Sequence, residues 1–441
     1  MQDLKMGKKP VKNQKPNGLK HIKTVVLKYL NTDKLKQVIL TNKHLDVISV
    51  FLLICEVILG VLIINNVKYT EIDWKAYMQE VEGFLNGTLD YGELKGDTGP
   101  LVYPGGFVYL FSLLYFLTDR GSDIRLAQYL YLVFYLVLLQ LVFRIYRKSK
   151  KVPAYCLIII CFTTYRIHSL FVLRLFNDPI AVILFYTSLN LMLDDKWSLG
   201  SIIFSLAVSV KMNILLYSPA LLLAYLNILG LKKTIFQLLI CAFIQVIIGL
   251  PFLLNNPYSY IKGSFDLGRV FLYQWTVNWR FLPEYIFLNR WFHLFLLVVH
   301  ISLICLFLKI INKYFNTYAR LKNIQSGVKN QLKKKSAHVN MDSMVQLFLF
   351  PFFVVNFIGI ICSRSLHYQF YVWYYHSIPY LLWCCNFSAI SRLTLLGVIE
   401  LCWNIYPSTD ISSMVLLGSH LMILISLYIK GKNSIADSKN N

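Results

Sequence analysis

The chain has 441 residues, of which 56% are hydrophobic and 15% charged, with a net charge of +22 and a mean hydropathy of +0.54. A soluble domain carries about 25% charged residues, so this composition excludes a single soluble core and calls for lipid around much of the surface. The basic excess does not point to nucleic acid, because the lysines and arginines form blocks beside apolar runs, as cytoplasmic loops do.

Residues 1–46 read as a basic cytoplasmic tail, with Lys5, Lys8, Lys9, Lys12, Lys15, Lys20 and Lys23 in its first half. The first apolar run, Val47–Asn66, is too long for a signal-peptide core and lacks a small-residue cleavage pattern, so it reads as a signal anchor. A span needs roughly 20 mainly apolar residues. Further clear candidates are Leu126–Phe143, Pro179–Leu193, Ile235–Leu254, Trp291–Ile311, Val345–Cys362 and Ser412–Ile429. Softer ones are Pro153–Leu170, Leu199–Val210, Ile214–Leu229, Tyr368–Cys385 and Ile390–Tyr406. The fold class is an all-α polytopic membrane protein with eleven or twelve spans. It divides into a module over 47–311, a mobile basic loop over 312–344 and a C-terminal module over 345–441.

Orientation follows from charge. Arg144, Arg147, Lys148, Lys150 and Lys151 form one basic block, and the 312–344 loop forms another. Together with the tail they belong in the cytoplasm. The segment 67–125 is instead acidic, with Glu71, Asp73, Glu80, Glu82, Asp90, Glu93 and Asp97, and belongs on the opposite, lumenal side. Its sequon Asn86-Gly87-Thr88 is then open to glycosylation. Two apolar runs separate this loop from the Arg144 block. One of them cannot cross. Leu101–Thr118, broken at its start by Pro104, Gly105 and Gly106, is expected to stay on the lumenal side, embedded in or parallel to the membrane. The nine cysteines lie in or beside apolar runs, without metal or disulfide spacing, and read as packing residues. No internal repeat supports a transporter or scramblase.

Chemistry-bearing residues gather on the lumenal side. Glu71 and Asp73, two apart, would share one face of an extended chain, and a carboxylate near apolar side chains can act as a general base. Asp97 and Tyr103 flank a Gly/Pro-shaped turn that could line a sugar site. Asp178 before Pro179 reads as a helix N-cap beside Asn177. Arg174 and Arg364 can fork phosphate oxygens, and Lys211 interrupts an apolar run where a lone charge is costly. His367 and Tyr368 follow Arg364. Trp279 and Arg280 sit in the aromatic, polar segment 255–290, a composition that suits carbohydrate as well as a membrane interface.

The strings YTEIDWKAYMQEVEGFLNGTLDYGELKGDTGPLVYPGGFVY, RIHSLFVLRLFNDP, AVSVKMN, TVNWRFLPEYIFLNR and SRSLHYQFYVWYYHSIPYLLW resemble the dolichyl-phosphate-mannose-dependent alpha-1,3-mannosyltransferases of the asparagine-linked glycosylation pathway. The likeness runs over roughly residues 66–412; where many members read YPAG, this chain has Tyr103-Pro104-Gly105-Gly106. The resemblance implies a GT-C type helical bundle in the endoplasmic reticulum membrane, with its active site facing the lumen. It implies a dolichyl-phosphate-mannose donor, a five-mannose dolichyl-pyrophosphate oligosaccharide acceptor and inversion, in contact with membrane lipids and without cofactor, metal or nucleotide sugar. On that reading Asp73 is the catalytic base, with Glu71 the alternative. Arg364, His367, Lys211 and Arg174 hold the donor phosphate. Asp97, Tyr103, Asn177, Trp279, Arg280 and Tyr368 contact substrate. Another lipid-phosphate-sugar glycosyltransferase of the same architecture is the alternative that only these strings disfavour.

Overall fold

A computed structural model describes residues 39–266, 268–331 and 342–440. The lysines of the first half of the tail, and Lys333, Lys334 and Lys335, lie outside the described residues. Helix α1 (Leu45–Asn66) is followed by α2 (Trp74–Leu85), a two-stranded antiparallel hairpin of β1 (Lys95–Gly96) and β2 (Gly99–Pro100), and α3 (Gly105–Leu117). Next come α4 (Ile124–Ser149), α5 (Tyr155–Phe162), the short α6 (Tyr165–His168) with a π turn over Ser169–Leu173, α7 (Asp178–Leu193) and α8 (Trp197–Val210). A 3-10 stretch over Met212–Tyr217 leads into α9 (Ser218–Ala224), then α10 (Leu231–Asn255), α11 (Pro257–Ser264), α12 (Glu284–Phe287) and α13 (Arg290–Gln331). The chain ends with α14 (Asp342–Ile361), 3-10 turns over Tyr368–Trp373 and Tyr375–Ser377, α15 (Ile378–Cys384), α16 (Ala389–Asn404) and α17 (Asp410–Asn440).

Seven helical stretches of the described residues are long and apolar enough to span a membrane, and the pair α5 and Tyr165–Leu173, bent by 53°, makes an eighth if it is one span. Three shorter apolar helices, α3, α7 and α8, accompany them. The eleven or twelve spans expected are thus partly realised as short or broken helices. The expected Tyr368–Cys385 span is a run of 3-10 turns ending in the seven-residue α15. The expected linker after residue 312 is helical through Gln331, because α13 continues past its apolar portion. Helix α14 is enclosed over most of its length, whereas α1, α10 and α13 turn Val50, Phe51, Phe243 and Phe295 outward as a lipid-facing belt.

Helices α1 and α4 run antiparallel side by side. Arg147 pairs with Asp46 at 3.2 Å and Asn42 donates to the Lys150 carbonyl at 2.7 Å at one end. At the other end Arg125 donates to the Ile64 carbonyl. The chain therefore leaves α1 and enters α4 at the same end, and the intervening α3, only 13 residues long, does not carry it across. The basic end also holds Asp194, which receives Arg144 and Lys148, each at 2.6 Å. Helix α4 has 26 residues and α7 has 16, lengths of about 39 Å and about 24 Å. Asn190 of α7 bonds Leu141 and Arg144 of α4, so the start of α7 is set back from the start of α4 by roughly 10 Å. A cavity lies near the start of α7, bordered by Phe176 and Lys211.

Candidate active site

The cavity has a volume of about 1270 Å³ and is bounded by α2, the hairpin, the Tyr165–Arg174 segment, the start of the Met212 3-10 stretch, residues 265–275, α13 and residues 362–373. Leu215, Leu272 and Leu297 line it and are largely exposed, so one side opens through apolar groups.

Asp73 sits at the N-cap of α2 and its side chain makes no cap hydrogen bond. An N-cap aspartate ordinarily accepts from the N2 or N3 amide. Here Glu71 does that work: its Oε1 accepts the Lys75 amide at 3.0 Å, and its Oε2 accepts the Tyr69 hydroxyl at 2.6 Å. Asp73 is left to face the cavity, with the Tyr77 hydroxyl donating to the pair formed by Asp73 Oδ2 at 3.3 Å and Asn177 Oδ1 at 3.4 Å. Burial holds the Asp73 carboxyl above the usual aspartate range, although Lys211 and Tyr77 pull the other way. The expected shared face of Glu71 and Asp73 is not found: the chain bends at residues 72 and 73, Glu71 is exposed and does not line the cavity. Two-residue periodicity holds only for an extended strand.

The floor is a polar network. Lys211 donates to Asp178 Oδ2 at 2.6 Å and to Asn177 Oδ1 at 2.9 Å, and Trp373 Nε1 donates to Asp178 Oδ1 at 2.6 Å. Asp178 is therefore not the N-cap of α7; Asn177 occupies that position, and Asp178 in the first turn balances a buried cation. The Lys211 ammonium also lies 5.2 Å from the Tyr103 ring and 5.5 Å from the Phe370 ring. Gly106 explains how α3 reaches this floor: a Cβ there would strike the Ser209 side chain and stand 2.9 Å from its carbonyl carbon.

The wall carries further cations. Arg174 donates to Ser169 Oγ at 2.8 Å and borders the cavity. The next residue, Leu175, holds a left-handed φ of 50°, a conformation rare for a bulky side chain and often found at functional sites. Arg364 lies over the Phe271 ring at 5.0 Å. His367 stacks on Phe370 with centroids 5.4 Å apart, and its Nε2 has no hydrogen-bond partner among the described residues. Burial, then Arg269 and Lys211, push the His367 imidazole down to about 4, so it meets a ligand at neutral pH as an uncharged group rather than as a cation. Tyr368 donates to the Ile405 carbonyl at 2.7 Å and lies under Arg166 at 4.4 Å.

Asp73, Lys211, Arg174, Arg364, His367, Tyr103 and Tyr368 thus border one cavity, with Asn177 beneath it. Asp97 does not: it pairs with exposed Lys75 at 2.8 Å and accepts from Gln79 at 2.8 Å. Trp279 and Arg280 are also outside, because they pin the 265–290 segment. Trp279 Nε1 donates to the Ser363 carbonyl at 2.8 Å, and Arg280 lies over Tyr273 at 4.3 Å. Sequence reasoning passed over Arg166 and Glu80, which line the cavity together with Arg269 of the aromatic, polar segment 255–290. For Glu80 the signal was present, since 73, 77 and 80 share one helical face.

A helical bundle with a lipid-facing belt, and an uncommitted carboxylate facing cationic and aromatic groups across a recessed cavity, has the build of an integral-membrane enzyme. The chain belongs to the ALG3 protein family, whose model matches residues 50–413. It is 52% identical to the mouse (Mus musculus) protein named Dol-P-Man:Man(5)GlcNAc(2)-PP-Dol alpha-1,3-mannosyltransferase, over 86% of this chain and 85% of that one. The human (Homo sapiens) protein of the same name is 50% identical, over 87% and 86%. A Drosophila melanogaster protein, named Dolichyl-P-Man:Man5GlcNAc2-PP-dolichol alpha-1,3-mannosyltransferase Alg3, is 46% identical over 94% and 92%. Membership makes this chain a mannosyltransferase.

Proposed function

We propose that the chain transfers mannose from dolichyl-phosphate-mannose to the Man5GlcNAc2-PP-dolichol acceptor, forming an alpha-1,3 linkage with inversion, on the lumenal side of the endoplasmic reticulum membrane. The observation that carries the chemistry is Asp73, released from capping by Glu71 and turned into a cavity lined by cations. Its carboxylate takes the proton of the acceptor mannose 3-hydroxyl. That oxygen attacks the anomeric carbon of the donor from the face opposite the phosphate. The carbon–oxygen bond to phosphate breaks, and its electron pair leaves with dolichyl phosphate. An in-line displacement with oxocarbenium character needs fixed positive charge at the departing oxygens. Arg174 and Arg364 supply it, His367 adds a neutral hydrogen bond, and the Lys211–Asp178 pair fixes the floor beneath.

The apolar opening at Leu215, Leu272 and Leu297 suits a lipid carrier that stays in the bilayer while its sugar enters the recess. The Arg144–Lys151 block at the opposite end favours the cytosolic face for that end, which turns the cavity toward the lumen.

Purified chain given both lipid-linked substrates should yield a six-mannose product whose new residue is removed by an alpha-1,3-specific mannosidase. Absence of product with both substrates present would overturn the reading. A cysteine at Asn86 that is labelled only from the cytosolic side would overturn the orientation.

A further inference from the structure

Glu80 stands seven residues after Asp73 on the cavity face of α2, about 10 Å further along the helix axis. It is 3% exposed, and its Oε2 is enclosed without a hydrogen-bond partner among the described residues. Among the described residues no cation comes within ion-pair distance of it. Around it stand Asp73 on its own helix, Tyr91 and Tyr103 from the chain that follows, and Arg269 from the far wall. A buried carboxyl with no partner is costly unless something else meets it. The mechanism above gives it no task.

We infer that Glu80 binds a hydroxyl of the acceptor glycan, on a sugar neighbouring the mannose that receives the new residue. This rests on the proposed transfer reaction. In an in-line displacement the base and the leaving phosphate lie on opposite faces of the reacting carbon. A carboxyl on the same helical face as the base therefore addresses the acceptor, not the donor phosphate. A separation of about 10 Å puts it beyond the reacting hydroxyl itself. Burial, reinforced by Asp73, lifts the Glu80 carboxyl to about 8, so near neutrality it keeps its proton and can both donate to and accept from a sugar hydroxyl.

Steady-state kinetics of the purified full chain test this with Glu80→Ala and Glu80→Gln. Glu80→Ala should raise the acceptor KM roughly tenfold, the loss of one buried hydrogen-bonded contact, with donor KM unchanged. Glu80→Gln, a neutral donor and acceptor, should recover most of that loss. It should also abolish the rise in acceptor KM that the unaltered chain is expected to show as the pH climbs through about 8. An unchanged acceptor KM in Glu80→Ala, an effect confined to donor KM, or a Gln variant as impaired as Ala would each overturn the inference. If Glu80→Ala fails to fold, the pH profile of Glu80→Gln decides. Failure of the unaltered chain to make product sinks the transfer reading instead, so the two failures are distinguishable.

Discussion

The floor and the wall of the cavity are built on opposite plans. On the floor the main polar groups are engaged by protein: Lys211, Asp178, Trp373, Asn177 and Tyr77 bond to one another and leave Lys211 a paired charge. On the wall Arg364 rests on an aromatic ring, Arg174 bonds a hydroxyl, and among the described residues the His367 Nε2 lacks a partner. A network built around a paired charge holds shape, because a buried charge whose partner is removed is penalised. Arg174, bonded to one hydroxyl, keeps donors for a ligand. The floor is where substitutions should cost fold, and the wall is where they should cost binding.

Asp73 belongs to neither and should give the largest effect. Asp73→Asn keeps size and the Tyr77 contact but removes the base, and turnover should fall by roughly 100-fold or more with acceptor binding retained. The pH profile sharpens this. A base raised by burial must lose its proton to work, so activity should fall on the acid side at a pH above the ordinary aspartate range. An acid limb in the ordinary range would contradict the desolvated position assigned to Asp73. Next comes the floor. Asp178→Asn strands the Lys211 ammonium in a buried site and should cost about 3–5 kcal/mol, seen as a lower melting temperature in detergent. Adding Lys211→Met should return much of the stability without returning activity. A smaller effect is expected on the wall, where Arg364→Lys keeps charge but loses the guanidinium fork. Donor KM should rise about tenfold with the melting temperature unchanged; a shift in melting instead would make Arg364 part of the floor's plan. The smallest effect belongs to Glu71→Ala, which frees the Lys75 amide to draw Asp73 into capping. Turnover should drop several-fold, and Glu71→Gln, which still accepts that amide, should be nearly silent.

Much of this was legible in the sequence. The charge blocks placed the two ends of the bundle, and the argument that Leu101–Thr118 does not cross agrees with the antiparallel α1 and α4. Residues that interrupt apolar runs, such as Arg174 and Lys211, do reach the cavity, because lipid leaves a charge few other places to go. Asp97, Trp279 and Arg280 are a different case. Loop composition does not tell a side chain that meets a sugar from one that ties the loop to its own protein, and these three do the tying. Glu80 was hidden because 67–125 reads as an acidic loop; with α2 assigned as a helix, its register with Asp73 is plain. Asp178 was misplaced by one position, since Asp-Pro signals a helix start but not what the carboxylate will face.

The capping of α2 by Glu71 has a consequence for how the two acids combine. Glu71 occupies the Lys75 amide that Asp73 would otherwise compete for, so the two positions are expected to be energetically coupled although only one borders the cavity. Substitutions at coupled sites do not add. With Asp73 already replaced by asparagine, removing Glu71 has no base left to divert and should cost almost nothing further in turnover. The acid-x-acid pair, which looks like redundancy on the page, is in this sense a partial dependency: the outer carboxylate steadies the position from which the inner one faces the cavity.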